Sequence, residues 1–276
     1  MTEMPSSTTG VRMLRIADLA AAVELSTIAG WNQTKDDWRM LMDLAPEGCF
    51  GIEADGELVA TTTLLSYGKQ LAWVGMVLTK PEYRGRGFAR TLVTHAIESA
   101  DRVGIKTVKL DATAQGQRLY ESLGFQLEGS VERWARAGVS NSCVPGGTFR
   151  FDQQVGSDLA AFGADRSIVL EALATRSQVY ISNNTYLLVR TGRTTAYLGP
   201  CVGNDPASTQ ALITSTLKAH SSVAWSWDLF PQNLNAVALA SGLGFTRQRV
   251  LTRMSRGETL RGRDEMVYAI AGFELG

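Results

Sequence analysis

A chain of 276 residues is long enough for two domains, each with its own core. Hydrophobic residues make up 45% of it and charged residues 20%, with 27 Gly and 7 Pro, a composition that excludes disordered and collagen-like classes. Its 27 Lys and Arg balance 27 Asp and Glu, so neither nucleic acid nor an anionic membrane is an expected partner.

The opening, Met1 to Gly10, has no basic segment leading into an apolar one, and no stretch approaches the roughly 18 apolar residues of a membrane span. Neither secretion nor membrane insertion is expected. Cys49, Cys143 and Cys201 are far apart and odd in number, which predicts a reduced, cytoplasmic setting. His95 and His220 are the only histidines, and no Gly-x-Ser-x-Gly elbow is present, so metal sites and hydrolase triads are not expected.

In chain order, apolar spacing predicts a helix over 16–28, a turn at Gly30-Trp31-Asn32 and a second helix over 35–44. Strands follow over 49–53, 58–66 and 71–79, joined by the turns Ala54-Asp55-Gly56 and Tyr67-Gly68-Lys69 as antiparallel hairpins. A third helix starts at Phe88 and stops near Gly104, with His95 on its polar side. A strand over 107–112, a short helix over 115–123 closed by Gly124, and a strand from Phe125 complete the first half.

Leu123-Gly124-Phe125 recurs as Leu243-Gly244-Phe245 and Arg133 recurs as Arg253, all offset by 120 residues. A register shared by helix, turn and strand predicts a duplication. The second copy reads as a helix near 167–174, strands near 179–182, 185–190 and 194–198, a helix over 208–219 and a strand over 223–227. The run from Ala137 to Gly147, rich in Gly, Ser, Asn and Pro, reads as the linker, giving domains over 1–137 and 148–276. Six arginines between Arg247 and Arg263 alternate with apolar residues and are expected on the solvent side of late strands.

The chemistry is concentrated after the third strand. Arg84, Gly85, Arg86 and Gly87 form a basic glycine turn that runs into the helix opening with Phe88 and Ala89. Unpaired N–H groups and the positive dipole end of such a helix favour a phosphate, and the glycines let the backbone approach it. The P-loop signature is absent, and Arg90 stands where a dinucleotide fingerprint needs Gly or Ala, so ATP and NAD fit poorly.

Arg84-Gly85-Arg86-Gly87-Phe88-Ala89 instead resembles the Arg/Gln-x-x-Gly-x-Gly/Ala signature of the GNAT superfamily of N-acetyltransferases. Val77-Leu78-Thr79-Lys80-Pro81-Glu82-Tyr83 is similar to the strand and turn entering that superfamily's pyrophosphate loop, and Leu119 to Phe125 to its helix-to-strand motif near the thiol of coenzyme A. The resemblance covers about Val11 to Arg136, and the second half resembles a divergent GNAT-like module, as in tandem acetyltransferases. It implies an α/β (α+β) fold of two such modules, each a mixed, mostly antiparallel sheet flanked by helices. In the first, the strand ending near Thr79 splays from the strand over 107–112.

It also implies acetyl-CoA as acyl donor, transferred directly to a primary amine, with a small molecule as the expected acceptor. Val77, Leu78 and Thr79 would pair with the pantetheine arm, N–H groups from Arg84 to Ala89 would take the pyrophosphate, and Tyr120 would protonate the leaving thiolate. Thr113 stands where many relatives carry a pantetheine-holding Asn. Trp31, Asn32, Asp37 and Trp73, with Trp38, are candidates for the acceptor wall, although each Trp also fits a core. Asp111, Glu53, Asp36 and Asp37 are candidate bases. The 120-residue offset puts Asp205 and Pro206 in place of the loop's arginine and glycine and Ala240 in place of Tyr120, so the second copy is expected to bind no acetyl-CoA in that manner. It would complete the acceptor pocket, support the first sheet or form a homodimer surface. A noncatalytic acyl-CoA sensor or scaffold, and an acyltransferase for longer acyl groups or protein amines, are the competing readings.

Overall fold

The computed structural model describes residues 10–141 and 155–276; the expected linker from Ser142 to Gly147, with Cys143 and the domain boundary placed there, lies outside the described residues. The first half contains β1 (Val11–Met13), α1 (Leu19–Ile28), α2 (Lys35–Leu44), β2 (Cys49–Ala54), β3 (Glu57–Tyr67), β4 (Leu71–Thr79), α3 (Phe88–Arg102), β5 (Thr107–Ala112), α4 (Gln117–Ser122) and β6 (Gln126–Arg136). The second contains α5 (Val155–Phe162), α6 (Ser167–Ala174), β7 (Ser177–Ser182), β8 (Thr185–Arg190), β9 (Ala196–Val202), α7 (Pro206–Ala219), β10 (Trp225–Leu229), α8 (Leu234–Gly242), β11 (Thr246–Gly257) and β12 (Val267–Ala269). The fold is mixed α/β, with mostly antiparallel strands flanked by helices.

The chain divides into two compact units, one of residues 1–66 and 74–104, the other of residues 67–73 and 105–276. In the first, β1, β2 and β3 are antiparallel, and the Thr61 and Thr62 hydroxyls donate to the Met76 and Gly75 carbonyls of β4. Thr34 starts α2 with a reciprocal cap: its hydroxyl accepts the Asp37 N–H at 3.2 Å, and its own N–H donates to the Asp37 carboxylate at 2.7 Å. Helix α3 buries Leu92, Val93, Ala96, Ile97 and Ala100, a stripe at i, i+1, i+4, i+5 and i+8.

The helix expected from Ile16 begins instead with a 3-10 turn over Ile16–Asp18. The Asp18 carboxylate accepts the Arg15 N–H and both ends of the Arg12 guanidinium, which keeps it outside the first α turn and holds its carboxyl below the usual range. His95, expected on the polar side of α3, is half-buried, its ring meeting Phe50 edge-on with centroids 4.7 Å apart.

In the second unit the strand order is β5-β11-β6-β10-β9-β8-β7, with β12 on β9. The opening of β4 joins it through three parallel rungs to β5, Leu71 to Thr107, Ala72 to Val108 and Trp73 to Lys109. The repeat is visible in the geometry. Gly124 and Gly244 close α4 and α8 at φ 87° and 81°, and the N–H of Phe125 reaches the Tyr120 carbonyl as that of Phe245 reaches Ala240.

The repeated strands exchange partners. First-half β6 lies between β10 and β11, while second-half β11 lies between β5 and β6. Each strand therefore borders the strand that precedes it in the other copy, and the sequence halves and the compact units are different divisions of the chain. Of the late arginines expected in solvent, Arg261 and Arg263 are exposed, whereas the exchange draws others inward. The Arg253 side chain is 12% exposed and forks Asp111 of β5, and Arg249 lies against the Phe273 ring, whereas the more exposed Arg247 bridges Glu132.

Candidate functional site

Within the first unit, the strand that leads to the basic loop is bent. Met76 sits at φ 48°, in the left-handed region that a bulky side chain avoids, at a cost on the order of 1–3 kcal/mol. Two buried threonine hydroxyls on the Gly75 and Met76 carbonyls hold it there. This irregularity falls just before Val77, Leu78 and Thr79, which complete the strand.

The loop follows. Gly85 and Gly87 lie at φ 78° and 85°, with no atom within 4 Å of where a Cβ would stand, and Gly87 is the N-cap residue of α3. The Tyr83 hydroxyl donates to Asp55 at 2.8 Å, its ring stacks on Phe88, and Arg86 lies over the same ring at 4.7 Å. Arg84 donates back to the Thr79 carbonyl at 3.3 Å. A fixed aromatic thus braces an exposed turn whose first helical N–H groups, at Phe88 and Ala89, have no acceptors inside the helix. The arrangement suits an anion.

The corresponding place in the second copy is closed by its own side chain. Asp205 caps α7 by accepting the Ser208 N–H at 2.8 Å, with Pro206 as the first helical residue. A carboxylate already occupies the donors that an incoming anion would need.

Within the second unit, Tyr120 is 8% exposed, packs edge-on against Phe125 with centroids 6.0 Å apart, and its hydroxyl has no partner among the described residues. Burial pushes its phenol up to about 12, so it is a protonated donor throughout the neutral range. Thr113 is exposed, and its hydroxyl accepts the Gly116 N–H at 3.3 Å at the start of α4. Ala240, at the Tyr120 position of the second copy, is fully buried and carries no acid.

The remaining candidates are drawn into structure. Trp31 is half-buried beyond α1, Asn32 is 4% exposed, and the Asp37 carboxylate is held by the cap of its own helix. Trp38 is core and donates to Ser26 at 3.2 Å. Trp73 is 1% exposed and donates its indole N–H to the Phe273 carbonyl at 2.8 Å. Of the candidate bases, Asp111 is paired with Arg253, Glu53 with Arg12, and Asp36 is exposed on α2. Sequence reasoning missed the Met76 bend, since nothing in a run of apolar residues marks a positive φ.

It also missed a cavity of about 110 Å³ within the second unit. Trp73, Lys109, Glu128, Arg253 and Asp264 are among the residues that line it. The Lys109 ammonium bridges Glu128 at 3.0 Å and also donates to the Leu260 carbonyl, and burial holds its pKa below the usual lysine value.

Two family models match the chain. The acetyltransferase (GNAT) family model covers residues 17–125, and an acetyltransferase (GNAT) domain model covers residues 155–269. The chain belongs to the GNAT acetyltransferase family, with two such domains in tandem. A Bacillus subtilis protein named as an uncharacterized N-acetyltransferase, YitH, is 31% identical over 136 residues, 46% of this chain. That match spans about half, 47%, of the relative's own length. A protein from a Pseudoalteromonas species, named holothin acyltransferase, is 23% identical over 261 residues, 89% of this chain and 87% of its own. A solved Pyrococcus horikoshii structure matches the fold with a TM-score of 0.85 over 100% of this chain and 99% of its own, at 23% identity. No helix among the described residues is long and apolar enough to cross a membrane, and no group of three or more potential metal ligands occurs among them.

Proposed function

We propose that this protein transfers an acetyl group from acetyl-CoA directly to a primary amine, with a small molecule as acceptor. The observation that carries the reading is the pairing of a bent strand with an anion cradle in the first copy: Met76 at φ 48° ahead of Val77, Leu78 and Thr79, then left-handed Gly85 and Gly87 opening α3. In this reading the backbone of Val77 to Thr79 pairs with the pantetheine arm and polarises the thioester carbonyl. The N–H groups from Arg84 to Ala89 hold the pyrophosphate, with charge from Arg84 and Arg86. The neutral amine attacks the carbonyl to form the C–N bond, the C–S bond breaks, Tyr120 gives its proton to the thiolate, and the proton shed by the acylated nitrogen passes to solvent, from which Tyr120 is reprotonated. The holothin acyltransferase relative, matched along 89% of this chain, supports acyl transfer by a protein with both halves.

Calorimetric titration tests the donor site. One acetyl-CoA should bind per chain, and the Arg84→Glu/Gly87→Glu variant should weaken it about thirtyfold or more, because two new carboxylates face the pyrophosphate and one forces a left-handed residue. Two sites per chain, or an unchanged affinity in the variant, would overturn the assignment of the loop.

Tyr120→Phe keeps the ring and removes the proton. Turnover, followed as free thiol released with an amine panel, should fall about a hundredfold while acetyl-CoA affinity stays within about twofold. A variant as fast as the parent would remove Tyr120 from the mechanism. Binding without thiol release from any amine would favour the noncatalytic sensor.

A further inference from the structure

The two copies align strand by strand on their ion pairs. Arg253 of β11 forks Asp111 of β5, and Arg133 of β6 forks Asp228 of β10. Two residues before each aspartate, Lys109 pairs in parallel with Trp73 of β4, and Ser226 with Tyr197 of β9. Each of those two rings lies under the arginine of its ion pair, so Trp73 and Tyr197 are equivalent. Counting on without a gap, Val77, Leu78 and Thr79, the residues given to the pantetheine arm, correspond to Cys201, Val202 and Gly203.

In the second copy that stretch is already taken. β9 and β10 run parallel as far as the rung between Leu198 and Trp227, and beyond it the segment 266–270 bonds to both. On one side β12 pairs antiparallel with β9, Val267 opposite Val202 and Ala269 opposite Cys201, and the Gly203 N–H donates to the Met266 carbonyl at 3.0 Å. On the other, the Ile270 N–H donates to the Asp228 carbonyl of β10 at 2.9 Å, and the Trp227 indole N–H donates to the Tyr268 carbonyl at 2.7 Å. Asn233 fastens the segment from the start of α8. Its Oδ1 accepts the Ala236 N–H as a helix cap, while its Nδ2 donates to the Glu265 and Val267 carbonyls at 3.2 and 3.0 Å. Thr113, at the same 120-residue offset, caps α4 by accepting the Gly116 N–H but carries no amide. Each residue from Met266 to Ala271 is at most 4% exposed.

We infer that β12 is the resident occupant of the second module's donor groove: residues 266–270 lie in cis where an acyl-CoA would lay its pantetheine arm, so this groove holds an extended peptide of its own chain. Naming it a donor groove rests on the acyl-transfer reading; the seat of the strand between β9 and β10 does not. A pantetheine arm and a peptide strand offer a strand edge the same groups, amide N–H and C=O. A strand tethered to its groove is present at high effective concentration, and an incoming ligand must first break the bonds it makes. The module is therefore closed twice, by Asp205 at the phosphate position and by β12 along the arm, and restoring the loop alone does not open it.

The test uses the full chain, read by amide hydrogen exchange and by calorimetric titration. The Gly203 and Ile270 amides should exchange at least about a hundredfold more slowly than in an unstructured peptide and should not respond to saturating acetyl-CoA, whereas exchange over 77–79 should slow when acetyl-CoA is added. Asn233→Thr keeps a cap for α8 and removes both amide donors, and should speed exchange over 265–270 about tenfold or more. A chain with Lys80–Gly87 copied in place of Asn204 and Asp205 should still bind a single acetyl-CoA. A second acetyl-CoA on that chain would overturn the proposal, as would rapid or acetyl-CoA-sensitive exchange at Gly203 and Ile270, or a strand unmoved by Asn233→Thr. The exchange measurements decide the matter even where the grafted chain fails to fold. A parent that binds no acetyl-CoA but keeps β12 protected would overturn the acyl-transfer reading and leave the strand in its groove, so the two failures are distinct.

Discussion

A chain ended after Asn141 is expected to give no soluble, cooperatively folding monomer, although it retains the whole stretch matched by the first family model. The reason is the strand exchange. Both neighbours of β6, β10 and β11, come from the second half, and β5 takes β11 as its partner along six rungs from Thr107 to Ala112. Ending the chain there strips both edges of β6 and one edge of β5, and uncovers Val108, Leu110 and Val131, each at most 2% exposed in the full chain. At about 1.5–3 kcal/mol per side chain, with a buried Asp111 left without Arg253, the loss approaches the roughly 5–15 kcal/mol that holds a domain together. Solubility, size-exclusion elution and a thermal melt measure it, and co-expression of residues 142–276 should restore a soluble complex. A monomer that melts cooperatively would mean that β6 can swing in to pair with β5, and that the exchange is dispensable.

The exchange also marks the limit of what the sequence makes legible. Local chemistry is readable: Thr34 with Asp37 starts α2 at Lys35 as expected, and the glycine turn opens α3 at Phe88. The repeat is readable too, because Gly124 and Gly244 must both adopt a left-handed C-terminal cap for the same turn to form. Partner choice is not. Periodicity says that β6 and β11 are equivalent, and equivalence leaves each free to pair within its own copy or across to the other. Arg133 and Arg253 could be matched by offset, yet their carboxylates, Asp228 and Asp111, lie on strands whose pairing the pattern does not specify. Asp111 therefore looked available as a base when its carboxylate was committed to an arginine from the far half. The same blindness hides the cavity, since Lys109, Glu128 and Asp264 meet only once β4, β5 and β6 are assembled with the chain after β11.

Arg253→Ala is expected to destabilise the protein by about 3–5 kcal/mol at neutral pH, far more than an exposed arginine would. The Asp111 side chain is fully buried, and Arg253 supplies both of its charge-assisted bonds as well as the largest effect opposing desolvation of its carboxyl. Without the guanidinium, only the weaker effect of Lys109 opposes desolvation, and the folded-state pKa of Asp111 climbs further above its unfolded value. A group whose pKa is raised by folding stabilises the native state below the unfolded pKa and loses that contribution as pH rises through the folded one. The deficit of the variant relative to the parent should therefore shrink as pH falls from about 7 towards about 4. Arg253→Met with Asp111→Leu removes both charges and keeps the volume, and should recover most of the loss, because it is the uncompensated carboxylate that destabilises rather than the missing attraction. Denaturant unfolding of the parent, both single variants and the double, at the two pH values, gives the coupling directly. A single variant that loses less than about 1 kcal/mol, or a deficit that grows on acidification, would show that Asp111 reaches water and that the cross-copy pair is not what fastens β11 to β5.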